Sequence, residues 1–300
     1  MFPSPPDISI VIPAFNAAAW IGDCLDSVRR QRYPSSRIQT LVIDNRSADA
    51  TSAVALAHGF EVVSCARPGP AAARNEGIRR AKGTLIAFLD SDAIADSNWL
   101  AELCAPFADS GVAGVGGRIE PLRVQTGSEY HAFLCGILDQ QKLLRGEPPF
   151  MLPFAATVNA AYRADALREA GGFDEAFFTG EDADLAWRIQ WAGGRLAYAP
   201  NALVRHRHRA TRLDYLRQIR QYGEGTAQLF AKHRGRLGRR AWIAWGHIGV
   251  TIKALALAPI MLAAGRDRAA RAMPFYDAAT GLCWTAGRIA GSLKHRVWTI

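Results

Sequence analysis

Apolar and polar residues alternate along the first two hundred positions so that strand and helix are predicted by turns. Ile8-Ser9-Ile10-Val11-Ile12 is a short, nearly all-apolar run closed by Pro13, the pattern of a strand buried on both faces. From Ala17 to Arg30 the apolar positions Ala18, Ile21, Leu25 and Val28 fall at helical spacing. The same alternation predicts a strand over Gln39 to Asp44, a helix over Ala50 to His58, a strand over Phe60 to Ser64 and a helix over Pro70 to Lys82. The next apolar run, Thr84 to Leu89, predicts a strand that ends at Asp90.

Beyond Asp92 the pattern predicts a helix over Asn98 to Ala108, a strand over Val112 to Glu120 and a helix over Glu129 to Arg145. A strand running into a turn follows over Phe150 to Tyr162. A helix whose apolar face carries Leu185 and Ile189 is stopped by Gly193-Gly194, and a strand returns over Leu196 to Val204. Strand–helix alternation of this kind predicts a doubly wound α/β body with a mostly parallel sheet, whose ligand crevice lies beyond the carboxyl ends of the strands. Residues 1–212 read as that body and residues 213–300 as a helical region.

Composition sharpens the picture in two places. At 300 residues and 49% apolar content the chain can bury a sizeable core, which excludes a disordered protein. The formal charge of +9 is unevenly spread: residues 1–200 carry 18 Lys+Arg against 23 Asp+Glu, net −5, and residues 201–300 carry 18 against 4, net +14. An acidic body with a basic tail suits an anionic membrane surface or nucleic acid, and the apolar stretches between the tail's charges favour the membrane. The five cysteines are widely spaced and form no CxxC pair, so neither a zinc cluster nor a disulfide framework is expected, and a reducing cytosolic setting fits. Met-Phe-Pro-Ser-Pro-Pro at the start lacks the basic and apolar regions of a secretory signal.

Two acidic clusters carry the candidate chemistry: Asp90-Ser91-Asp92 after the apolar strand, and Glu181-Asp182-Ala183-Asp184 at the opening of a helix. With 17 Asp in the chain, roughly one Asp-x-Asp match arises by chance, so the motif counts only through its place at a strand end. Carboxylates there can hold a divalent cation against a diphosphate, and a carboxylate across the crevice can take a proton from an incoming hydroxyl. Their structural alternatives are a turn after the strand and acids favoured by the helix dipole.

Six stretches in order, Ile10 to Asn16, Val42 to Thr51, Ala73 to Gly77, Phe88 to Asp92, Gly171 to Glu175 and Gly180 to Arg188, resemble inverting glycosyltransferase family 2 over about residues 7 to 208. The second stretch departs from the commoner Asp-Asp-Gly-Ser by carrying Asn45 and Arg46. The resemblance implies a GT-A nucleotide-sugar-binding fold with a basic, apolar helical appendage. It implies that Pro13, Phe15, Asn16, Asp44 and Arg74 line the nucleotide pocket, where Asp44 otherwise builds a turn and cap with Ser47 and Asp49. Asp90 and Ser91 would meet the donor, and Asp90 and Asp92 with His206, or alternatively His208, would hold Mg²⁺ or Mn²⁺. Asp182 would be the base, with Glu181 contacting the acceptor or bracing the loop and Asp184 capping the helix. Asn159, Tyr162 and Arg163 also match a family stretch. Asn159 is then either near the donor sugar or a buried hydrogen-bonded side chain, and Trp187 and Trp191 read as packing.

The implied activity moves a sugar from a nucleoside-diphosphate donor to a lipid-linked or cell-surface glycan acceptor, as in polysaccharide assembly. Transfer to polyprenyl phosphate, with Arg205 to Arg220 gripping the phosphate, and a noncatalytic nucleotide- or nucleic-acid-binding protein are the alternatives. In the tail, Trp242 to Ala264 is long enough to span a bilayer. Its Leu, Ile and Val contribute about −2.4 to −4.8 kcal/mol to insertion and Lys253 opposes with roughly +2.5 to +3.5 kcal/mol. The near-zero sum predicts a peripheral or re-entrant seat on the cytoplasmic face of the membrane. A second stripe, Phe275, Ala279, Leu282, Ala286, Ile289 and Leu293, predicts another helix, and the alternative for both is packing as core.

Overall fold

The computed structural model describes residues 5–146, 152–237, 245–264 and 268–297. From its start the chain runs β1 (Ile8–Ala14), α1 (Ile21–Arg29), β2 (Ile38–Asp44), α2 (Thr51–Ala57), β3 (Glu61–Ser64), α3 (Pro70–Arg80) and β4 (Leu85–Leu89). It continues through β5 (Ala93–Ala95), α4 (Trp99–Cys104), β6 (Val112–Pro121), α5 (Gly127–Leu134), α6 (Gln140–Leu144), β7 (Asn159–Arg163), α7 (Ala164–Glu169), α8 (Glu181–Trp191) and β8 (Arg195–His206). Three long helices follow, α9 (Arg212–Leu237), α10 (Trp245–Ala264) and α11 (Arg268–His295). The chain divides into two compact units, Met1–Leu122 with Leu138–Arg207, and Arg123–Ile137 with His208–Ile300. The second unit thus takes in α5 as well as the last three helices.

In the first unit the eight strands form one sheet in the order β3-β2-β1-β4-β7-β6-β8-β5. The pairs β1–β2, β1–β4, β2–β3 and β6–β8 are parallel; β4–β7, β6–β7 and β5–β8 are antiparallel. Successive side chains on a strand point to opposite faces, and both faces of β1 are buried. Ile8, Ile10 and Ile12 join a core with Ile21 and Leu25 of α1 and Trp99 of α4, whereas Val11 joins one with Ala72 and Ile78 of α3 and Leu185 of α8. Strand order reverses between β1 and β4, and in sheets of this kind the ligand crevice opens beyond the strand ends at such a reversal.

The elements differ from the sequence pattern where side chains claim the backbone. The first helix starts at Ile21 and not at Ala17, and the N–H groups of Ala17 and Ala18 donate to Thr51 Oγ1 at 2.7 Å and Asp49 Oδ2 at 3.1 Å, which ties the loop before it to the start of α2. The helix expected over Glu129 to Arg145 is two, α5 and α6, separated by left-handed Gly136 and Leu138 and restarted by Asp139, which accepts from the Gln141 and Lys142 N–H groups. Pro106 turns the end of the helix after Trp99 into a 3-10 turn. Of the strand expected over Phe150 to Tyr162, Phe150 and Met151 lie outside the described residues and the pairing begins only at Asn159. The short elements β5 and α7 were not predicted.

In the second unit α9 and α11 touch backbone to backbone. A Cβ on Gly287 would lie 2.0 Å from the Arg220 carbonyl oxygen, so only glycine fits that crossing. Tyr276, Trp284, Arg288 and Ser292 of α11 are buried, whereas Phe275, Leu282, Ile289 and Leu293 are exposed. Among the described residues no helix is long and apolar enough to cross a membrane.

Candidate functional site

The buried strand β4 delivers the chain to Asp90, and three residues later β5 pairs antiparallel with β8, Ala93 opposite His206. That register seats the His206 imidazole against the preceding carboxylate, with Nε2 3.1 Å from Asp92 Oδ1. One ligand atom each from Asp90, Asp92 and His206 lies within 4.8 Å of the others. Ser91, between the aspartates, is partly exposed. Two carboxylates and one imidazole form a donor set that fits a hard or borderline divalent cation such as Mn²⁺. His206 is the histidine of this group, and His208 is not part of it.

The second acidic cluster meets the first through Arg74. From α3 its buried guanidinium donates to Glu181 Oε1 at 2.7 Å through Nη1 and to Asp90 Oδ1 at 3.2 Å through Nη2, with its carbon 5.8 Å from the Phe173 ring centroid. Burial works against the guanidinium charge, but Asp90, Glu181 and Asp182 around it hold its pKa above the ordinary Arg value. Burial pushes both Glu181 and Asp182 above the usual carboxylate range, and Arg74 opposes the shift in each case. Glu181 is buried, whereas Asp182 keeps partial exposure and accepts from the Ala183 N–H at 2.8 Å. Arg74 Nε and the Tyr162 hydroxyl are buried with no protein hydrogen-bond partner.

The turn ahead of α8 fixes this arrangement, and the residues doing so were not singled out from sequence. Asn75, next to Arg74, accepts from the Phe173 N–H at 2.8 Å and donates to the Phe173 carbonyl at 2.8 Å and to Glu175 Oε1 at 2.9 Å. From α8, Arg188 donates to the carbonyls of Ala170 and Gly172. Gly172 is left-handed, and a Cβ there would lie 2.6 Å from Asn75 Oδ1. Asp184 does not cap α8, whose N-cap is Gly180; its fully buried carboxylate takes Arg188 Nε at 2.9 Å and Nη2 at 2.7 Å. The signal for these roles was present in the Ala-Arg-Asn-Glu-Gly and Glu-Asp-Ala-Asp-Leu-Ala-Trp-Arg strings, where Asn75 and Arg188 sit among the acids they serve.

Pro13, Phe15, Asn16 and Asp44 form a separate group at the ends of β1 and β2. The Asn16 N–H donates to Ser47 Oγ at 3.0 Å and its side-chain oxygen accepts from the Ala48 N–H at 2.8 Å, which locks left-handed Asn16 against the next loop. Asp44 accepts from the Ser47 N–H at 3.1 Å and Ser52 Oγ at 2.7 Å, so the turn role is realised. Phe15 stays 62% exposed, unusual for an aromatic ring at a strand end. Asn45, where the common motif has Asp, donates to the Arg67 carbonyl at 2.6 Å and accepts from the Gly69 N–H at 2.8 Å. It ties the β2 loop to the start of α3.

Other side chains are structural. Asn159 is fully buried and saturated, accepting from Trp99 Nε1 at 2.7 Å and donating to the Arg118 and Ala202 carbonyls at 2.8 Å each. Arg163 donates to the Val112 and Phe107 carbonyls, and Trp187 packs in the interior 6.1 Å from Trp191.

The family model for glycosyl transferase family 2 matches residues 9–171. The chain belongs to glycosyl transferase family 2. That match takes in Arg74, Asp90 and Asp92 and stops before Glu181, Asp182 and His206. The pre-mycofactocin glycosyltransferase of Mycobacterium tuberculosis is 32% identical over 99% of this chain, and the alignment spans 66% of that relative's length. The glycosyltransferase AglE of Haloferax volcanii is 29% identical over 78% of this chain and 77% of its own. Among solved structures, the Pyrobaculum calidifontis mannosyltransferase PcManGT, in complex with GDP-Man and Mn²⁺, superposes with a TM-score of 0.68 at 20% identity, over 98% of this chain and 90% of that one. The fold is therefore GT-A, with a helical C-terminal region.

Proposed function

We propose that this family 2 chain is a metal-dependent inverting glycosyltransferase that moves a sugar from a nucleoside-diphosphate donor to a lipid-linked or cell-surface glycan acceptor. One observation carries the reading: Arg74 binds Asp90 and Glu181 at once, so the cation-binding and helix-opening acids form a single constellation at the strand-order reversal. A Mg²⁺ or Mn²⁺ ion held by Asp90, Asp92 and His206 would supply Lewis-acid charge to the diphosphate leaving group. Pro13, Phe15, Asn16 and Asp44 receive the nucleotide, with the exposed Phe15 ring as a stacking face. The anomeric carbon–oxygen bond breaks with its electron pair going to the diphosphate. The acceptor oxygen bonds to that carbon from the opposite face, and Asp182 takes its proton. A single displacement inverts the configuration, unlike the two-step retaining route.

Burial supports Asp182 as the base, since a raised pKa brings a carboxylate closer to the working pH. Glu181, held by Arg74, fixes the first turn of α8 beneath it. Calorimetry of nucleoside diphosphates and their sugars with and without Mn²⁺, followed by the anomeric configuration of the product by NMR, tests the reading. Donor affinity indifferent to Mn²⁺, or a retained configuration, overturns it.

We also propose that the second unit lies on the cytoplasmic face of an anionic membrane, in the interface and without spanning it. The outward apolar positions Ile252, Leu255 and Ile260 of α10 and Phe275, Leu282, Ile289 and Leu293 of α11 support this seat. The net charge of +14 over residues 201–300 matches an anionic surface.

A further inference from the structure

Beside the cation group a guanidinium keeps more hydrogen-bonding capacity than the protein takes up. Arg207 follows His206 at the end of β8, and its side chain meets the N-terminal end of α1. There its guanidinium carbon lies 4.2 Å from the ring centroid of the exposed Trp20, and Nη2 is 3.4 Å from Asp23 Oδ2. That end of α1 is seated on the acidic loop. Cys24 donates its thiol to the Asp90 carbonyl at 3.6 Å. Burial first, and then the charges of Asp92, Asp90 and Asp23, push that thiol up, so all three acids stand close to one point.

The contacts of Arg207 leave its charge largely unmatched. A guanidinium carries five N–H donors, and among the described residues this one makes a single hydrogen bond, the long one to Asp23. The Asp23 side chain is 63% exposed, and an ion pair with so solvated a partner is weak. The Trp20 ring steadies the cation through its π face and takes up no N–H group. With the Arg207 side chain only 17% exposed, solvent reaches little of it. Its donors are therefore held ready, beside Asp90, Asp92 and His206, for a group that the protein does not itself supply.

We propose that Arg207 is a second cation for the leaving group, its N–H fork taking diphosphate oxygens of the donor while Asp90, Asp92 and His206 hold the metal. The inference rests on the transfer reaction proposed above and adds a residue that binds the anion directly. Adjacent Cα atoms stand about 3.8 Å apart, so two neighbours at one strand end serve the two halves of one salt, His206 the metal and Arg207 the phosphate. A planar guanidinium matches two phosphate oxygens at once, which a point charge does not. As the anomeric bond breaks, its electron pair stays on the diphosphate oxygen, and the charge building there strengthens the contact in the transition state. Arg207 neither gains nor loses a proton, so the proton balance of the transfer, with Asp182 as acceptor, is unchanged.

Displacement calorimetry in saturating Mn²⁺ tests this on the full-length chain. UDP and GDP are each compared with the matching nucleoside, which carries the base and ribose but no phosphate. Arg207→Gln should lower nucleoside-diphosphate affinity by about tenfold, the range of a hydrogen bond to a charged group, and leave nucleoside affinity within about twofold. Arg207→Lys, which keeps the charge without the fork, should lose about threefold, and it makes the same comparison if the Gln variant does not fold. An equal loss for nucleoside and diphosphate makes Arg207 a staple between β8 and α1 and overturns the assignment. Undiminished diphosphate affinity in both variants also overturns it, and is the outcome expected of an arginine that grips an acceptor phosphate instead. A parent that binds neither diphosphate removes the transfer reading and this inference with it, a result distinct from the other two.

Discussion

Replacing Arg74 by Met removes the cation that Asp90 and Glu181 share and leaves the volume of the site nearly unchanged. The two arms are unequal. The Glu181 pair is 2.7 Å long with side chains 6% and 9% exposed, whereas the Asp90 partner is 25% exposed and more screened by solvent. Breaking a buried pair by removing one partner costs about 3–5 kcal/mol, and with a single fully desolvated arm the lower end, about 3 kcal/mol, applies. At about 2–4 °C per kcal/mol for a body of this size, the melting temperature should fall by about 6–12 °C. The deficit should depend on pH. Glu181 is already raised above its unfolded value by burial, so its contribution is fully present below the ordinary Glu range and is lost as pH rises through the folded value. Without Arg74 that value rises further, so the variant loses more on the same climb. The gap between Arg74→Met and the parent should therefore be narrower at about pH 5 than at about pH 8. Arg74→Lys should recover part of it, because the charge returns without the planar fork that reaches both acids. Thermal denaturation of the three proteins at both pH values measures this, and a gap below about 1 kcal/mol, or one that does not change with pH, refutes the ion-pair account.

Asp92→Asn should abolish the Mn²⁺-dependent part of nucleoside-diphosphate affinity in calorimetry while leaving the melting temperature within a few degrees, since it removes charge at a partly exposed loop. Asp182→Asn should lower turnover by on the order of 10²-fold with nucleotide affinity unchanged. In the parent the acidic limb of the pH–rate profile should lie above the ordinary Asp value of about 3.9, because burial raises Asp182 and a base works only when ionised; survival of activity within about threefold of the parent would remove Asp182 from the role. Asn75→Ala strips three hydrogen bonds from the turn ahead of α8 and should cost about 1–3 kcal/mol, with kcat falling and Mn²⁺-dependent nucleotide affinity retained; an unaltered kcat argues against positioning by Asn75. Leu282→Glu combined with Leu293→Glu should release the protein from anionic liposomes in co-sedimentation without lowering its melting temperature, and undiminished binding contradicts the outward-face seat.

The order of strands and helices up to β4 was legible because both periodicities are strong there and because each motif closes a buried strand. What periodicity does not carry is competition for the backbone. Nothing in the apolar spacing of residues 17 to 30 says that Thr51 and Asp49 will take the N–H groups of Ala17 and Ala18 and tie that loop to the start of α2. Nor does the run from Glu129 to Arg145 reveal that Leu138 turns left-handed, a conformation that sequence assigns to glycine or asparagine before leucine. At the site, sequence reached the acids, which carry the chemistry and stand at recognisable places. It did not reach Asn75, Arg188 or the pairing of Asp184, whose work is to hold those acids in place. That work depends on a turn nearly a hundred residues away in sequence from Asn75, a separation that no local pattern expresses.

The helical unit shows a different limit. Periodicity identified Phe275, Leu282, Ile289 and Leu293 as sharing one face of α11, and they do, but a stripe says which residues lie together and not which way they point. Packing decides that. Gly287 lets α11 approach α9 closely, and the buried face of α11 carries Trp284, Arg288 and Ser292, with the Arg288 guanidinium 5.5 Å from the Phe230 ring centroid. With that face committed to α9, the apolar stripe turns outward. In water such an arrangement exposes surface that ordinarily drives folding. At a lipid interface, the seat proposed above, the same face would be solvated by acyl chains. The glycine crossing packs one face of α11 against α9 and leaves the stripe outside that contact, which is why charging two outward leucines should alter where the protein resides and leave its fold alone.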